Sequence, residues 1–282
     1  MKWNQFICPH DALPIVQKGK SLCCEKGHSF DLAREGYCNL LLVQQKASHD
    51  PGDSMEMVMA RRRFLEAGFY LPLAKKIFSI ASELAHQKEE FRILDAGSGE
   101  GYYLRYIQSQ NPELQLIGID ISKSAVKAAA KLSSNISWGV ASNKQLPLEN
   151  NSIHLILSMF GFPVWASFTK LQKQGSYTVL VDAGENHLIE LREIIYPSVT
   201  KSGPPTINAA FDSGYHLLSE EPLRFSIQLT SQEQINDLLS MTPHAHRISE
   251  EGLKKLKSYD RLELSVDLLI RVLKKDQVTV LT

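Results

Sequence analysis

Residues 91–120 read FRILDAGSGEGYYLRYIQSQNPELQLIGID, and this stretch decides the fold. A short apolar run ends at a glycine-rich turn, a segment with helical spacing follows, and a second apolar run ends at Asp120. That order predicts a strand, a helix and a second, parallel strand, which is the repeating unit of an α/β sheet. In such sheets the turn between the first strand and the helix is where a cofactor binds.

The glycine-rich turn itself reads Asp95-Ala-Gly97-Ser-Gly99-Glu100-Gly101. Dinucleotide-binding turns use G-x-G-x-x-G, whereas Tyr102 stands here at the place of the third glycine. A carboxylate at Asp95 would repel a pyrophosphate but attract a sulfonium or ammonium group. Asp120 can accept hydrogen bonds from both hydroxyls of a ribose. Although a tight turn without a ligand is the alternative, the combination favours a nucleoside cofactor that carries a cation.

The rest of the chain continues the alternation of strands and helices. Apolar or alternating runs predict further strands near residues 136–140, 152–160, 177–182 and 262–273. The turn sequence DPGD at 50–53 precedes a predicted helix that Asp53 caps and that ends near Ala67. Pro72 fits the first turn of the next helix, while residues 201–214 read as irregular. We therefore predict one large α/β domain.

Composition limits the partners and the location. The chain has 282 residues with 31 basic and 31 acidic side chains, so its net charge gives no evidence for a nucleic-acid partner. No apolar run approaches the roughly 18 residues that a membrane-spanning helix needs, and the first residues lack the apolar core of a signal peptide. We expect a soluble cytoplasmic protein with no membrane partner.

The first 45 residues read as a small separate module that holds all four cysteines, at positions 8, 23, 24 and 38. Such clustering fits a local metal site better than a disulfide framework. Cys8, Cys24 and His28 offer three ligands of the kind that zinc prefers. The fourth could be Asp11, His10 or Cys23, or the site could have lost its metal. Cys38 precedes an apolar run and is expected to pack as a small apolar residue.

Longer motifs carry a family resemblance. They are C-x3-H-x-F-D-x-A-x-E-G-Y-x-N-L from Cys24, the DPGDS block between Ser48 and Tyr70, D-x-G-x-G-E-G-Y-Y from Asp95, H-L-x-E-L from His187, and M-T-P from Met241. In this order they resemble the bacterial 23S rRNA (guanine-N1)-methyltransferases over nearly the whole chain. The DPGDS block and the glycine turn are the specific motifs.

The resemblance implies a class I methyltransferase fold, with a doubly wound, mostly parallel sheet of seven strands and an N-terminal zinc-ribbon-like module. It implies methyl transfer from S-adenosylmethionine to N1 of a guanine in a hairpin loop of 23S rRNA. The expected limits are 1–45 for the zinc and RNA-recognition module, 46–90 for a helical linker and 91–282 for the methyltransferase domain. The protein could also form a homodimer.

The resemblance also implies site residues. The family's cofactor contacts fall on Tyr70, Gly99, Glu100 and His187, and the turn adds Asp95, Gly97, Gly101 and Asp120. Its zinc ligands fall on Cys8, Asp11, Cys24 and His28, where Asp11 replaces a thiol of the family. After the fourth strand, proline stands at 163, one place later than relatives tend to have it. This departure leaves the choice of target open.

The sequence gives less evidence about the residues that would bind and deprotonate the guanine. Guanine N1 carries a proton that must leave, and Asp50 or Asp53 could accept it, although a turn and a helix cap explain them better. Phe160 and Phe162 could stack an extruded guanine or form an apolar lid. The arginines at 61–63 are the densest basic cluster, and they predict an RNA contact unless they form a solvated helix face. A small-molecule methyltransferase and a decayed rRNA-binding protein are the alternative functions.

Overall fold

A computed structural model describes residues 3–45, 51–86, 88 and 90–276. The strands in these ranges are β1 (Val16–Lys18), β2 (Ser21–Cys23), β3 (Ser29–Asp31), β4 (Tyr37–Asn39), β5 (Arg92–Ala96), β6 (Gln115–Asp120), β7 (Ser137–Val140), β8 (Ile153–Met159), β9 (Gln172–Ala183), β10 (Tyr215–Leu229) and β11 (Leu262–Lys275). The α-helices are α1 (Met55–Glu66), α2 (Leu71–Ala85), α3 (Tyr102–Gln110), α4 (Lys123–Ala130), α5 (Trp165–Leu171), α6 (Ile189–Ile195), α7 (Asn208–Asp212), α8 (Gln232–Ser240) and α9 (Glu250–Leu256). Within the described ranges, every helix is too short or too polar to cross a membrane.

The central sheet has eight strands in the order β10-β11-β9-β8-β5-β6-β7-β4. The strands from β9 to β4 in this order are parallel, and β11 runs antiparallel to both β9 and β10. Seven of these strands come from the region after residue 91, as predicted. The predicted count is nevertheless one short, because β4 of the N-terminal module extends the sheet beside β7.

Three local predictions need correction. Ser54, rather than Asp53, caps α1, since its hydroxyl accepts a hydrogen bond from the Met57 amide at 3.3 Å. The stretch 201–214, predicted to be irregular, contains the short helix α7. The long strand β10 was not recognised, because its acidic residues and Pro222 obscure the alternation that marks a strand. Proline is tolerated there since β10 lies at the edge of the sheet.

The two faces of the sheet are covered by different parts of the chain. Ile93 of β5 belongs to the larger apolar cluster, which includes side chains from α2, α3, α4, α6, α8 and α9. Leu94 belongs to the cluster on the other face, where the partners come from α5 and from the N-terminal module. Between β7 and β8, residues 141–152 form no helix, so Phe6, Ile15 and Leu22 of the module cover this part of the sheet. The module is therefore not separate: it shares the core of the domain.

Backbone hydrogen bonds join the same two parts. The Leu40 amide donates to the Val140 carbonyl at 2.9 Å, and Phe6 forms an antiparallel bridge with Leu148. The strands β1, β2 and β3 form a small antiparallel sheet of their own. These contacts cross the expected limit at residue 45, and the three expected ranges stay predictions.

Candidate cofactor site and metal centre

Asp120 fixes the glycine turn to the end of β6. Its Oδ2 accepts a hydrogen bond from the Gly99 amide and its Oδ1 accepts one from the Ser122 amide, both at 2.8 Å. Ser122 in turn caps α4, because its hydroxyl oxygen accepts a hydrogen bond from the Ala125 amide. The carboxylate expected to hold a ribose is thus already positioned by two backbone amides.

The three glycines of the turn have different surroundings. All three have positive φ angles, of 99° at Gly97, 55° at Gly99 and 81° at Gly101, which side chains rarely adopt. A Cβ at Gly97 would lie 3.9 Å from Asn143 Nδ2, and one at Gly99 would lie 3.6 Å from Arg61 Nη1; both are ordinary contacts with side chains. A Cβ at Gly101 would collide with the Trp138 ring. Gly101 is therefore required by packing, while Gly97 and Gly99 leave room for a ligand.

Buried polar atoms behind the turn lack partners. Neither carboxylate oxygen of Asp95 nor the Ser98 hydroxyl has a hydrogen-bond partner among the described residues. Burial raises the pKa of Asp95 to about 8, and the charge of Asp120 adds to the shift. Such groups fit a ligand that brings a positive charge and hydrogen-bond donors. S-adenosylmethionine, with its sulfonium and ammonium groups, meets this requirement.

Glu100 is held by its own helix and by α1. Its carboxylate is buried, lies 2.9 Å from Arg105 Nη1 and 3.5 Å from Arg62 Nε, and accepts a hydrogen bond from the Tyr102 amide. These contacts tie α3 to α1 below the turn. A cofactor contact at Glu100 would therefore fall to its backbone, and the predicted contact stays a prediction.

Tyr70 and His187 form a neutral pair near the end of β8. His187 Nδ1 accepts a hydrogen bond from the Asp267 amide at 3.4 Å, which leaves the proton of the neutral ring on Nε2. That nitrogen lies 3.4 Å from Tyr70 Oη and can donate to it. Burial lowers the pKa of His187 to about 4 and raises the pKa of Tyr70. Both side chains are therefore uncharged at neutral pH.

An aromatic wall extends from this pair to the end of β8. We use this name for Tyr70, His187, Phe160 and Phe225. The Phe160 ring centroid lies 6.3 Å from both the Tyr70 and the His187 centroids, and that of Phe225 lies 6.0 Å from Tyr70. Phe160 is half exposed and adopts a φ of 55°, whereas Phe162 is 90% exposed. The sequence predicted Tyr70, His187 and Phe160 here, but it gave no sign of Phe225 from the unrecognised strand β10.

The arginines at 61–63 do not form an exposed basic face. Arg61 pairs with Asp53, Arg62 lies near Glu100 and donates to the Ala128 carbonyl at 2.8 Å, and Arg63 pairs with Asp237. Successive residues of α1 point to different neighbouring elements and only Arg63 of the three is exposed, so they form no continuous basic face, and an RNA contact by this cluster stays a prediction. Asp50 lies outside the described residues.

The pair of Asp53 and Arg61 is a feature that sequence reasoning missed. The Ser122 hydroxyl donates to the Asp53 carbonyl at 2.7 Å, which brings the DPGDS block next to Asp120. Arg61 then lies in front of Gly99. Asp53 precedes the N-cap of α1, so its contact with Arg61 depends on how the DPGDS block folds back, and no local spacing signals it.

The candidate metal centre joins Cys8, Asp11, Cys24 and His28, whose ligand atoms all lie within 4.8 Å of one another. Asp11 Oδ2 lies 3.1 Å from His28 Nδ1 and 3.5 Å from Cys24 Sγ. Burial opposes ionisation of Asp11, but hydrogen bonds that include those from Cys8 and Cys24 outweigh it and lower its pKa to about 2. Two thiols, an imidazole and an ionised carboxylate suit tetrahedral zinc.

The other ligand candidates lie outside this cluster. Cys23 Sγ lies 3.5 Å from the Ser29 hydroxyl, and the His10 ring stacks on His28 with centroids 4.6 Å apart. Cys38 is fully buried within β4, and burial raises the pKa of its thiol to about 12. The arrangement favours Asp11 as the fourth ligand, and Cys38 packs as a small apolar side chain.

Comparisons with known proteins agree with this geometry. Residues 6–49 match the family model of the zinc ribbon described as RlmA, N-terminal, and residues 93–184 match a methyltransferase domain model. The chain is 31% identical over 280 residues to YxjB of Bacillus subtilis strain 168, provisionally named a 23S rRNA (guanine-N1)-methyltransferase. That alignment covers 96% of this chain and 97% of YxjB. The chain belongs to the 23S rRNA (guanine-N1)-methyltransferase family.

Another member of the family is the 23S rRNA (guanine(748)-N1)-methyltransferase of Streptomyces fradiae, 31% identical over 65% of each chain. Among solved structures, the YcgJ protein of Bacillus subtilis has a TM-score of 0.46 and 17% identity, with 71% of this chain and 98% of YcgJ covered. Together the two family models and the strand order confirm the predicted class I methyltransferase fold with a zinc ribbon. They also confirm that S-adenosylmethionine and zinc are the cofactors to expect.

Proposed function

We propose that this protein transfers a methyl group from S-adenosylmethionine to N1 of a guanine in a hairpin loop of 23S rRNA. The observation that carries the proposal is similarity to a family relative along the whole chain, zinc ribbon included. A small-molecule methyltransferase would need the cofactor turn but gives no reason for the zinc module. The intact turn, with Asp95 and Asp120 in place, argues against a decayed enzyme.

The cofactor would be held by Tyr70, Asp95, Gly97, Gly99, Glu100, Gly101, Asp120 and His187, with Glu100 and Gly101 contributing through their backbone. When bound, S-adenosylmethionine supplies a methyl group that its sulfonium already makes electrophilic. Asp120 accepts hydrogen bonds from the ribose hydroxyls, while the buried carboxyl of Asp95 favours the cationic end. Tyr70 and His187, being neutral, do not repel the sulfonium, and the Tyr70 hydroxyl keeps its proton for a hydrogen bond while both His187 nitrogens are engaged. The protein's main task is to hold the two reactants in line.

The guanine would enter along the aromatic wall. Enzymes that modify a base take it out of its stack and bind it against aromatic side chains. Phe160 lies beside Tyr70 and His187, and the exposed Phe162 two residues later can stack on the extruded base or its neighbour. The N1 proton must leave during transfer. Asp53 is held by Arg61, so we assign no residue as the general base.

The zinc ligands would be Cys8, Asp11, Cys24 and His28, in a module that contributes to RNA recognition. We keep 1–45, 46–90 and 91–282 as the ranges of module, linker and methyltransferase domain. Because ribosomal RNA lies in the cytoplasm, we propose the same location for the protein. We keep a homodimer as part of the proposal, and sedimentation at several concentrations tests it.

The direct test combines purified protein, radiolabelled S-adenosylmethionine and a transcript of the 23S rRNA hairpins. Primer extension should stop at one guanine, since a methyl group at N1 blocks Watson–Crick pairing. A transcript with adenine at that position is the matched control and should take up no label. Label that enters small metabolites alone would favour the small-molecule enzyme. Absence of cofactor binding by calorimetry would favour the decayed homologue.

A further inference from the structure

We propose that the zinc module forms part of the cofactor pocket, in that zinc at the Cys8–Asp11 turn holds the loop of residues 141–149 against the glycine turn. We call residues 141–149 the β7–β8 loop. On this proposal, metal occupancy sets the affinity for S-adenosylmethionine as well as the stability of the module. The inference rests on the proposed function for the identity of the cofactor.

The β7–β8 loop borders the cofactor pocket. It begins beside Asp120, whose carbonyl accepts a hydrogen bond from the Ala141 amide at 3.1 Å. Two residues later, Asn143 Nδ2 lies 3.9 Å from the position that a Cβ of Gly97 would take. The loop therefore faces the same space as Gly97 and Asp120. A displacement of a few ångströms would change the shape of that pocket.

The module holds the loop in place. The Ile7 amide donates to the Pro147 carbonyl at 3.0 Å, and the Glu149 amide donates to the Gln5 carbonyl at 2.8 Å. The Gln145 side chain adds a link at the middle of the loop: its Oε1 accepts a hydrogen bond from Gln45 Nε2 at 2.8 Å, and its Nε2 lies 3.4 Å from the Pro9 carbonyl oxygen. The loop has no helix and only short-range hydrogen bonds of its own, such as that from the Gln145 amide to the Ser142 carbonyl, so the module supplies long-range hydrogen bonds at its second half.

The residues that hold the loop adjoin the metal ligands directly. Cys8 follows Ile7, and its amide donates to the Leu13 carbonyl at 2.8 Å, which closes the turn that carries Asp11. Phe6 is fully buried in one apolar cluster with Leu146 and Leu148. A module of this size has little core of its own, so zinc is expected to supply much of its folding free energy. Loss of zinc should loosen Gln5–Cys8 and with it the loop.

The test uses the full chain, loaded with zinc or treated with a chelator. Amide hydrogen exchange is measured for residues 5–8 and 141–149, and the affinity for S-adenosylhomocysteine is measured by calorimetry. We expect chelation to speed amide exchange in both segments by about tenfold or more. We expect it to lower the affinity for S-adenosylhomocysteine by about three- to tenfold. Exchange in β11, far along the sheet from β7, should not change.

Two variants distinguish the effect of losing zinc from the effect of losing the Gln145 contacts that hold the loop. Asp11→Ala should behave like the chelated protein, and Cys23→Ser, at the thiol outside the ligand cluster, is its matched control. Gln145→Ala should speed amide exchange in the β7–β8 loop and lower the affinity for S-adenosylhomocysteine. Its zinc content should stay the same as that of the wild type. If Asp11→Ala does not fold, the chelated protein and Gln145→Ala carry the test.

Two different failures can be told apart. Unchanged exchange in residues 141–149 and unchanged ligand affinity after removal of zinc would overturn the coupling. If the zinc-loaded protein binds no S-adenosylhomocysteine at all, the proposed function fails instead. In that case the exchange measurement alone still decides whether zinc holds the loop.

Discussion

The Asp120 carboxylate joins two separate elements, accepting hydrogen bonds from the Gly99 and Ser122 amides at 2.8 Å each. One side chain therefore fixes both the glycine turn after β5 and the start of α4. Burial raises the pKa of Asp120, while the two amides act in the opposite direction. Each oxygen keeps a second lone pair for a hydroxyl donor. The site is thus arranged before a ribose binds.

Asp120→Ala should weaken binding of S-adenosylmethionine by about one to two decades, roughly 1.5–3 kcal/mol, because two hydroxyls lose a charged acceptor. Calorimetry measures the affinity, and the exposed Glu113→Gln serves as a control for charge loss. We also expect a lower melting temperature, since two amides lose their partner. An unchanged affinity would contradict the ribose assignment.

Valine at two glycines of the same turn should have opposite consequences. A valine at Gly99 would make an ordinary contact with Arg61 and is strained only by its positive φ, so Gly99→Val should fold with a lower melting temperature and no longer bind the cofactor. Gly101→Val would collide with Trp138 and should yield little folded protein. Circular dichroism and calorimetry on both variants distinguish the two outcomes. Retained cofactor binding by Gly99→Val would mean that the turn faces elsewhere.

Asp95→Asn should stabilise the cofactor-free protein at high pH. The pKa of Asp95 is about 8 in the fold against an ordinary value of 3.8, so the folded state holds a proton that the unfolded state releases. The free energy of unfolding of the wild type is therefore highest below pH 3.8, falls as the pH rises from 3.8 towards 8, and is lowest above pH 8. The melting temperature of the variant should exceed that of the wild type most at pH 8 and least at pH 5. A difference in melting temperature that does not depend on pH would contradict the raised pKa of Asp95. We also expect Asp95→Asn to bind the cofactor more weakly than the wild type.

Asp11→Cys should tighten the metal site. Zinc's borderline softness favours sulfur over a carboxylate oxygen, so the wild type should hold its metal less firmly than the variant. Elemental analysis of protein purified without chelator should find about one zinc per chain in both. The variant should then resist a higher chelator concentration. Wild-type protein without zinc, or equal resistance of both proteins, would count against Asp11 as a ligand.

Phe162→Ala should weaken RNA binding without changing the affinity for the cofactor. Loss of one stacking contact costs about 1–3 kcal/mol per base, so KM for the rRNA fragment should rise by about tenfold or more. Affinity for S-adenosylhomocysteine should stay the same. Phe211→Ala, at another exposed phenylalanine that lies on α7, is the matched control. Equal kinetics for the two variants would exclude stacking by Phe162.

Much of the fold could be predicted because the deciding signals are local. The alternation from β5 to β7, the glycine turn and the Ser122 cap all follow from neighbouring residues. The same holds for His28, four positions after Cys24. By contrast, β10 was missed because an edge strand with most side chains exposed carries no clear apolar period. The choice of Asp11 over His10 and Cys23 as the fourth ligand required the three-dimensional arrangement of residues 8–28.

The sequence by itself determined the class of fold, the place of the cofactor turn and the residues from which a zinc site can be built. The tertiary structure alone decided that Gly101 packs against Trp138, that Glu100 is held by Arg105, and that each arginine at 61–63 pairs with a different acidic side chain. It also decided that Phe6 packs against Leu148 and so joins the module to the β7–β8 loop. These are contacts between residues far apart in the chain. A local pattern records which residues can be buried or charged, but only the packed fold selects their partners.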